Sequence, residues 1–372
     1  MPFPYLDYSK QGMLSLEFLT IPDPDGWHPS LRLKGDWLVI KISDGVLSGY
    51  GEASHSKQDN ACKAGAQEIF TQRLKSFQLS LKNLRSLEEE VLATQPDFVR
   101  ATAWSGINQA LYDLLAKREQ VPVWQLFKSN TSLNCLSLYT TINRALTTRT
   151  YDDYLSLVQK ANDQGFKIFK CAPFGKVTDP NDTEESCREG LGTLALLREK
   201  FPEIGMRVDF HERFAPENFI KIVPELEGFD LDWIEEPFAM GDDYAELRKR
   251  TKLRIAGGEL FWGTKVFSEI TENQWVHVIM PDVKYVGGFG PLLLVLEMGQ
   301  GRIEISPHNP SGPVSTAASL HAAAIFPDLV QSLEIPFDKT NLRKSYGECI
   351  EDGYLYLNDN PGWGLDLDTL VT

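Results

Sequence analysis

The sequence predicts an α/β fold: a (β/α)8-type barrel, a modified TIM barrel, joined to an α+β capping domain. In the second part of the chain, short β-rich runs alternate with amphipathic segments, which is typical of a parallel barrel. The part before Asn134 lacks this alternation, and the closing residues are rich in Gly, Asp and Pro. The eight predicted barrel strands are 136–142, 167–173, 205–210, 232–237, 254–259, 276–283, 303–308 and 331–336.

These patterns divide the chain into three predicted parts. Residues 1–133 are expected to form the capping domain, 134–340 the barrel, and 341–372 a segment that returns to the capping domain. Within the first part, β-rich and turn residues indicate a hairpin, and apolar residues at helical spacing indicate helices. The hairpin strands are 36–42 and 46–52, and the helices are 57–77 and 99–118.

Composition and charge restrict the partners of the protein. With 52 acidic against 37 basic residues the net charge is −15, which argues against nucleic acid because phosphate binding selects for Lys and Arg. We see no signal peptide and no apolar run long enough to span a membrane. The five cysteines are far apart and form no CxxC motif. We therefore expect a cytoplasmic protein that binds neither membrane nor nucleic acid, and we expect a homo-oligomer.

Polar side chains close the predicted barrel strands. In such barrels the chemistry takes place at the carboxyl ends of the strands, so these residues are expected to meet at one rim. Surface charge placed at random would not recur at strand ends, which favours a functional site. The closing residues are Lys170, Asp209 and His211, Glu235 and Glu236, Glu259, Asp282, His308 and Glu334.

Three carboxylates on consecutive strands predict a metal site. Asp209, Glu235 and Glu259 are separated by about one βα unit each, so their oxygens can converge on one cation. Oxygen donors without cysteine suit Mg²⁺ with positions left open for substrate. The alternative is a set of salt bridges at the rim, for which the candidate cations are Lys170, Lys284 and Arg213.

A histidine with an adjacent carboxylate predicts a general base. His308 closes the seventh strand and Asp282 closes the sixth, so the two are expected to be neighbours. A carboxylate beside an imidazole fixes its tautomer and raises its basicity. The alternative for a histidine at a strand end is a purely structural hydrogen bond.

Six motifs in this order resemble the enolase superfamily, in particular its mandelate racemase subgroup. They are KIFKCAPF, RVDFHERF, DWIEEP, AGGE, MPDVKYVGG and SPHNPSGPVSTAASLH. DFHER and SPHNPSGP are most similar to acid-sugar dehydratases of the galactonate dehydratase type. Gly51-Glu52 and the helix ALYDLLAKREQVPVWQLF resemble the capping domain of that family.

The resemblance implies a role for each matching residue. Asp209, Glu235 and Glu259 correspond to the Mg²⁺ ligands of the family. His308 with Asp282 corresponds to its His–Asp base. Both assignments agree with the interpretation of the strand ends given above.

Three further residues receive roles from the resemblance alone. Lys170 matches the first lysine of a KxK motif that contacts the substrate carboxylate, and His211 matches a general acid of such dehydratases. Glu334 matches a glutamate that hydrogen-bonds the developing enediolate. Ala172 stands in place of the second KxK lysine, and residues 170 and 172 face the same side of a strand. The site therefore lacks one racemase base, which favours elimination, although His211 could act as a second-face acid.

The expected reaction is dehydration of a sugar acid, an aldonate or an aldarate. The enzyme would abstract the proton α to the carboxylate and expel the β-hydroxyl, giving a 2-keto-3-deoxy acid. Alternatives through the same enediolate are cycloisomerisation of a sugar acid or lactone and racemisation or epimerisation, and a non-catalytic barrel is a third. In each catalytic case the partner is a small carboxylate.

Substrate selection is expected in capping-domain loops near 22–30 and 54–57. Their candidate residues are Trp27, His28 and His55, and interdomain packing is the alternative for them. Gly287–Gly290 indicates either a phosphate site at a helix N-terminus or a tight βα turn. The remaining polar residues are expected to act outside the catalytic steps. Lys284 is expected to act elsewhere in the molecule, and Glu236 to make a structural contact. His277 and His321 are expected to pack in the interior or to lie at the surface.

Overall fold

A three-stranded antiparallel sheet begins the fold. The computed structural model describes residues 13–21, 23, 36–55, 58–127, 130–181, 184–340 and 342–367. The predicted hairpin is confirmed by the pairing of β2 with β3. A further strand, which the sequence analysis did not predict, pairs with β2 along its whole length. The strands are β1 (Ser15–Ile21), β2 (Trp37–Ser43) and β3 (Ser48–Glu52).

Three helices follow this sheet in the chain, and the third of them packs on it. The helix predicted over 99–118 is confirmed, and it is buried almost all round because it packs against β2 and β3. Gly51 permits this contact, since a Cβ there would lie 1.8 Å from the carbonyl oxygen of Gly106. The second helix was not predicted; its N-terminus is capped by the Ser80 hydroxyl. The helices are α1 (Asp59–Ile69, continued by a π-helical turn at Phe70–Leu74), α2 (Leu81–Leu92) and α3 (Phe98–Arg118).

Eight parallel strands form the barrel, and each lies within or overlaps a strand predicted from the sequence. They follow chain order around the barrel, and the eighth strand pairs with the first. Between the seventh and eighth, Ile305 and Val330 form a parallel bridge. The strands are β4 (Cys135–Thr141), β5 (Ile168–Cys171), β6 (Gly205–Asp209), β7 (Trp233–Glu235), β8 (Ile255–Gly257), β9 (Val278–Ile279), β10 (Glu304–Ile305) and β11 (Leu333–Pro336).

Helices alternate with the barrel strands, as expected of a (β/α)8-type fold. The apolar barrel interior also contains a separate small cluster around Tyr139 and Trp233. The helices are α4 (Tyr151–Asp163), α5 (Glu184–Lys200), α6 (Pro216–Leu226), α7 (Asp243–Arg250), α8 (Lys265–Glu272), α9 (Phe289–Gly299), α10 (Pro313–Ile325) and α11 (Leu342–Ser345).

The C-terminal residues contact both the barrel and the first sheet. β12 (Ile350–Glu351) and β13 (Tyr354–Tyr356) form a hairpin, and β13 pairs antiparallel with β4. The Trp363 indole then donates to the carbonyl of Tyr50 at 2.8 Å. The barrel pairing was not anticipated from the sequence, and the domain boundaries at residues 133 and 340 stay predictions.

Two helix N-termini of the barrel are covered by polar side chains from the first part of the chain. Asn108 accepts a hydrogen bond from the Phe289 amide at 2.7 Å and donates to Glu88 at 2.6 Å. A Cβ at Gly288 would lie 2.3 Å from the Asn108 side chain, so the φ of +103° and the close approach both require glycine. Asn108 therefore lies where a phosphate would bind, which favours the tight-turn interpretation of Gly287–Gly290.

The second covered N-terminus belongs to α10, which follows the segment that carries His308. Glu52 accepts from the Gly312 amide at 2.9 Å and from the Ser315 amide at 3.2 Å. The side chain of Glu52 is fully buried, and Ser54 also donates to it. A carboxylate at a helix N-terminus is stabilised by the helix dipole, so this contact joins β3 to the rim of the barrel.

Two further findings concern the cysteines and the length of the helices. None of the five cysteines, all of which lie in the described part of the chain, forms a disulfide. Across the described ranges, no helix combines the length and apolar character that crossing a bilayer requires.

Candidate active site

Three carboxylates converge at the carboxyl ends of neighbouring barrel strands. Asp209 and Glu235 occupy paired positions at the ends of β6 and β7, and Glu259 follows β8 by two residues. One oxygen from each lies within 4.8 Å of the others, and all three residues are buried. The parallel register produces this cluster because the three strands end at the same rim.

The surroundings of the cluster indicate a cation. Glu259 Oε2 is buried and accepts no well-oriented hydrogen bond from the residues that the structure describes. Burial together with Glu236 and Asp209 raises the pKa of Glu259 well above its ordinary value. Burial also raises the pKa of Glu235, and Asp209 adds to that effect. A dication bound by three hard oxygen donors would remove this repulsion, so these residues fit Mg²⁺.

The salt-bridge alternative for the rim is only partly realised. Lys170 Nζ lies 2.5 Å from Glu235 Oε1, so one predicted cation does contact a carboxylate of the cluster. Arg213 instead donates to the carbonyl of Val177, and Lys284 donates to Ser54 and Tyr285. One ammonium cannot neutralise three carboxylates.

His308 and Asp282 form the pair predicted from the sequence. His308 Nδ1 lies 2.8 Å from Asp282 Oδ2, and both side chains are buried. Because a carboxylate only accepts, Nδ1 carries the proton of a neutral imidazole. Nε2 then faces the carboxylate cluster, 3.1 Å from Glu259 Oε2 and 3.8 Å from Glu334 Oε2.

His211 contacts the cluster from another strand. Its Nε2 lies 2.7 Å from Asp209 Oδ2, and its amide donates to Asp209 Oδ1 at 2.8 Å. The side chain is 44% exposed and its φ of 49° turns the chain at the end of β6. Burial lowers the pKa of His211, but Asp209 outweighs burial and raises it. Burial raises the pKa of Asp209, but the contact with His211 outweighs burial and lowers this pKa to about 2.

Lys170 and Glu334 lie beside each other in the barrel mouth. Lys170 Nζ is 3.0 Å from Glu334 Oε1, in addition to its contact with Glu235. Burial lowers the pKa of Lys170, but both carboxylates raise it well above the ordinary value. The ammonium is therefore shared between two carboxylates. Glu334 also accepts from the Tyr139 hydroxyl at 3.4 Å and from the Asn309 amide at 3.3 Å.

The predicted substrate residues have different outcomes. Trp27 and His28 lie outside the described residues. His55 is half-buried, and its ring packs against Phe98 and Tyr285 at centroid distances of 4.7 and 6.3 Å. This contact joins the capping part to the sixth strand end, and a role of His55 in substrate selection stays a prediction.

Sequence reasoning missed a layer of side chains directly below the cluster. The Arg207 guanidinium lies 3.6 Å from the centre of the Trp233 ring and 4.1 Å from that of Tyr139. The Trp233 indole donates to Glu235 Oε2 at 3.1 Å. Positions 207 and 233 precede two metal-ligand candidates by two residues, so alternation along each strand could have placed them inside the barrel.

Three other polar residues make the structural contacts that the sequence analysis expected, and a fourth, Glu52, was not expected at the rim. Glu236 Oε1 accepts from the amides of Gly258 and Glu259, which is the structural contact predicted for it. His277 and His321 each accept a backbone amide through Nδ1, from Ile255 and Trp124 respectively. Sequence reasoning gave Glu52 no contact with the barrel, although a carboxylate at the end of a predicted strand was a usable signal.

Comparisons with known proteins agree on fold and family. A curated relative, D-galactonate dehydratase from Klebsiella pneumoniae (strain 342), is 24% identical over 353 residues, covering 91% of this chain and 90% of that protein. A mandelate racemase/muconate lactonizing enzyme-like protein from Rubrobacter xylanophilus DSM 9941 superposes with a TM-score of 0.83 at 23% identity, covering 97% and 96% of the two chains. The 3,6-anhydro-D-galactonate cycloisomerase from Zobellia galactanivorans gives 0.80 at 21% identity, covering 96% and 97%.

Two family models match the chain. Residues 32–127 match the mandelate racemase/muconate lactonizing enzyme N-terminal domain. Residues 153–371 match the enolase C-terminal domain-like family. The chain is therefore an enzyme of the enolase superfamily and belongs to its mandelate racemase/muconate lactonizing enzyme group.

Proposed function

We propose that this enzyme is a Mg²⁺-dependent dehydratase of a sugar acid, a hydro-lyase that forms a 2-keto-3-deoxy acid. One observation carries the proposal: two imidazoles approach the same carboxylate cluster from opposite walls of the barrel. His211 follows the third strand and His308 the seventh, and strands four apart lie opposite each other in an eight-stranded barrel. Elimination needs one base and one acid at separate positions, which these two residues supply.

Asp209, Glu235 and Glu259 would hold the metal. Members of the superfamily use Mg²⁺, and the buried oxygen donors here suit it. When bound, Mg²⁺ would stabilise the additional negative charge that develops on a carboxylate when its α-proton is removed. Without this stabilisation, the α-proton of a carboxylate is far too weakly acidic for a histidine to remove at neutral pH.

His308 and His211 would divide the proton transfers. His308 Nε2 takes the α-proton while Asp282 holds Nδ1, and the Cα–H electron pair forms the enediolate. The Cβ–O bond then breaks, and His211 gives a proton to the departing hydroxide, so that one water leaves. Tautomerisation of the enol gives the keto acid. Lys170 would bind the reacting carboxylate and Glu334 would hydrogen-bond the enediolate, which requires Lys170 to exchange its present contact with Glu235.

Another reaction through the same enediolate is the alternative. Cycloisomerisation needs the same base and metal ligands, and a structural neighbour of this chain is a cycloisomerase. Racemisation or epimerisation is less well supported, because Ala172, directly after the second barrel strand β5, provides no base. The curated dehydratase relative supports dehydration.

The test is a screen of sugar monoacids and diacids with Mg²⁺. We expect keto-acid formation and a product lighter than the substrate by one water, abolished by EDTA and restored by Mg²⁺. A product of unchanged mass would support the isomerase alternative instead. Absence of both α-proton exchange and product across the panel would contradict an enediolate reaction.

Cytoplasmic location, a homo-oligomeric state and the two domain boundaries also remain proposals. Fractionation of cells that contain the protein would test the first. Size measurement in solution would test the second, and limited proteolysis near residues 133 and 340 the third.

A further inference from the structure

Lys284 is a buried lysine that the proposed mechanism does not use. It follows Asp282 by two residues, and its amide donates to Asp282 Oδ1 at 2.7 Å. Its backbone is therefore fixed to the carboxylate that orients His308. The residue is only 2% exposed and lies where the loop after β3 meets the rim of the barrel.

The ammonium of Lys284 lacks an ionic partner among the described residues. Nζ donates to the carbonyl of Ser54 and to the hydroxyl of Tyr285, each at 3.3 Å. Within the described ranges no carboxylate oxygen lies within 4.0 Å of Lys284 Nζ, the limit for an ion pair. The third N–H of the ammonium has no acceptor in these ranges either. A buried charge is costly unless it is paired, so this ammonium favours an anionic ligand.

The neighbouring carboxylates are already engaged. Asp282 binds His308 and the Lys284 amide, and Glu52 binds the amides at the start of α10. Burial lowers the pKa of Lys284, but Tyr285, Asp282 and Glu52 raise it, so the ammonium stays charged. The nearby Arg144 guanidinium acts in the opposite sense and lowers the pKa of Lys284, but it does not outweigh these groups.

Lys284 also lies opposite the reacting end of the proposed substrate. Lys170 is on the second barrel strand and Lys284 follows the sixth, and strands four apart face each other across the mouth. A substrate whose reacting carboxylate lies near Lys170 and the metal ligands would extend across the mouth towards Lys284. A monoacid presents an uncharged hydroxymethyl group there, whereas a diacid presents a second carboxylate.

We propose that Lys284 binds the distal carboxylate of the substrate, which makes the substrate class a sugar diacid, an aldarate, rather than a monoacid. This rests on the proposed function, because it assumes that the reacting carboxylate lies at the metal-ligand cluster. Lys284 is then a specificity residue that contacts the substrate far from the reacting carbon. An ammonium–carboxylate bond in a buried site is worth about one to two orders of magnitude in selectivity.

The experiment compares stereochemically matched pairs, galactarate with D-galactonate and D-glucarate with D-gluconate. We expect the wild type to prefer the diacid of at least one pair by about tenfold or more in kcat/KM. Lys284→Met should lower this diacid-to-monoacid ratio by about 10- to 100-fold, mainly through KM, and Lys284→Arg should retain part of it. Lys265→Met is the control, because that lysine is exposed and begins α8 at the same rim; it should leave the ratio unchanged.

A binding measurement separates this inference from the proposed function. In Mg²⁺, the diacid should raise the melting temperature of the wild type more than the monoacid does, and Lys284→Met should remove the difference even if no turnover occurs. If Lys284→Met does not fold, Lys284→Gln, which can still donate to Ser54, serves in its place. The inference would be overturned if the wild type dehydrated a monoacid in preference to its diacid. It would also be overturned if Lys284→Met lowered kcat/KM equally for both. Either result would leave the proposed function intact.

Discussion

His308 Nδ1 lies 2.8 Å from Asp282 Oδ2, so the imidazole after the seventh strand is held by a carboxylate after the sixth. The pair fixes which nitrogen faces the metal-ligand cluster. Asp282 is itself fixed by the amide of Lys284. The base is thus oriented by contacts between two neighbouring strand ends, and its function depends on the closed barrel.

Replacing the base should separate catalysis from metal binding. His308→Asn removes the proton acceptor, so we expect kcat to fall by about 10²- to 10⁴-fold. Mg²⁺ affinity, measured by calorimetry, should stay within a few-fold, because His308 is not one of the three cluster carboxylates. His277→Asn is the control, since His277 accepts a structural hydrogen bond from the Ile255 amide and is not part of the carboxylate cluster. A turnover close to wild type would refute the base assignment.

The Trp233 indole should position a metal ligand. Trp233→Phe keeps the ring against Arg207 but removes the hydrogen bond to Glu235 Oε2. Because outer contacts of this kind commonly change metal affinity by about 10- to 100-fold, we expect a weaker Kd for Mg²⁺ in this range. Trp104→Phe is the matched control, since the buried Trp104 indole nitrogen has no hydrogen-bond partner among the described residues. Equal Kd values for the two variants would show that the indole does not orient Glu235.

Removing the metal should weaken substrate binding. The cluster of Asp209, Glu235 and Glu259 would repel a carboxylate, and the net charge of −15 adds to that repulsion. Calorimetry with EDTA-treated protein should therefore show sugar-acid binding at least about tenfold weaker than with Mg²⁺. Tight binding without the metal would contradict the proposed role of the cluster.

Stability should depend on pH through a carboxyl far from the metal site. Burial raises the pKa of Glu88 from 4.5 to about 7, despite its hydrogen bond from Asn108. Because the folded protein holds this proton more tightly than the unfolded chain does, protonation of Glu88 favours folding. The resulting stability is fully present below about pH 4.5 and is lost as the pH rises through about 7. Glu88→Gln should therefore become more stable relative to wild type between pH 5 and pH 8, by at most about 3 kcal/mol.

Denaturant unfolding at the two pH values measures this difference. Glu89→Gln is the control, because Glu89 is the next residue of α2 and is exposed. Its stability difference from wild type should not change with pH. A Glu88→Gln difference that is also constant would show that the Glu88 pKa is not raised in the folded protein.

The barrel and the metal cluster were predictable because their signals are local. Each strand is a short apolar run, and Asp209, Glu235 and Glu259 stand at or just after the end of such a run. Because parallel strands end at the same rim, the three carboxylates lie close together there. For the same reason His308 and Asp282 were expected together, and the structure places them in contact.

What sequence reasoning missed depends on contacts between distant segments. β1 pairs with β2 across a long connection, and its own alternation of buried and exposed residues is weak. The engagement of Lys170 by both Glu235 and Glu334 follows from three strands meeting, so the sequence suggested only a substrate contact. The ionic isolation of Lys284 likewise appears only when the loop after β3 is placed over the rim.

The central claim is that two histidines divide the proton transfers, and exchange in D₂O tests it most directly. With His211→Asn, Mg²⁺ and a sugar acid that the wild type dehydrates, NMR should show α-proton exchange at a rate within about tenfold of wild-type turnover, while keto-acid formation falls by about 10²-fold or more. His308→Asn should lose both. If His211→Asn loses exchange and dehydration together, or if His308→Asn still exchanges the α-proton, the division of roles proposed here is wrong.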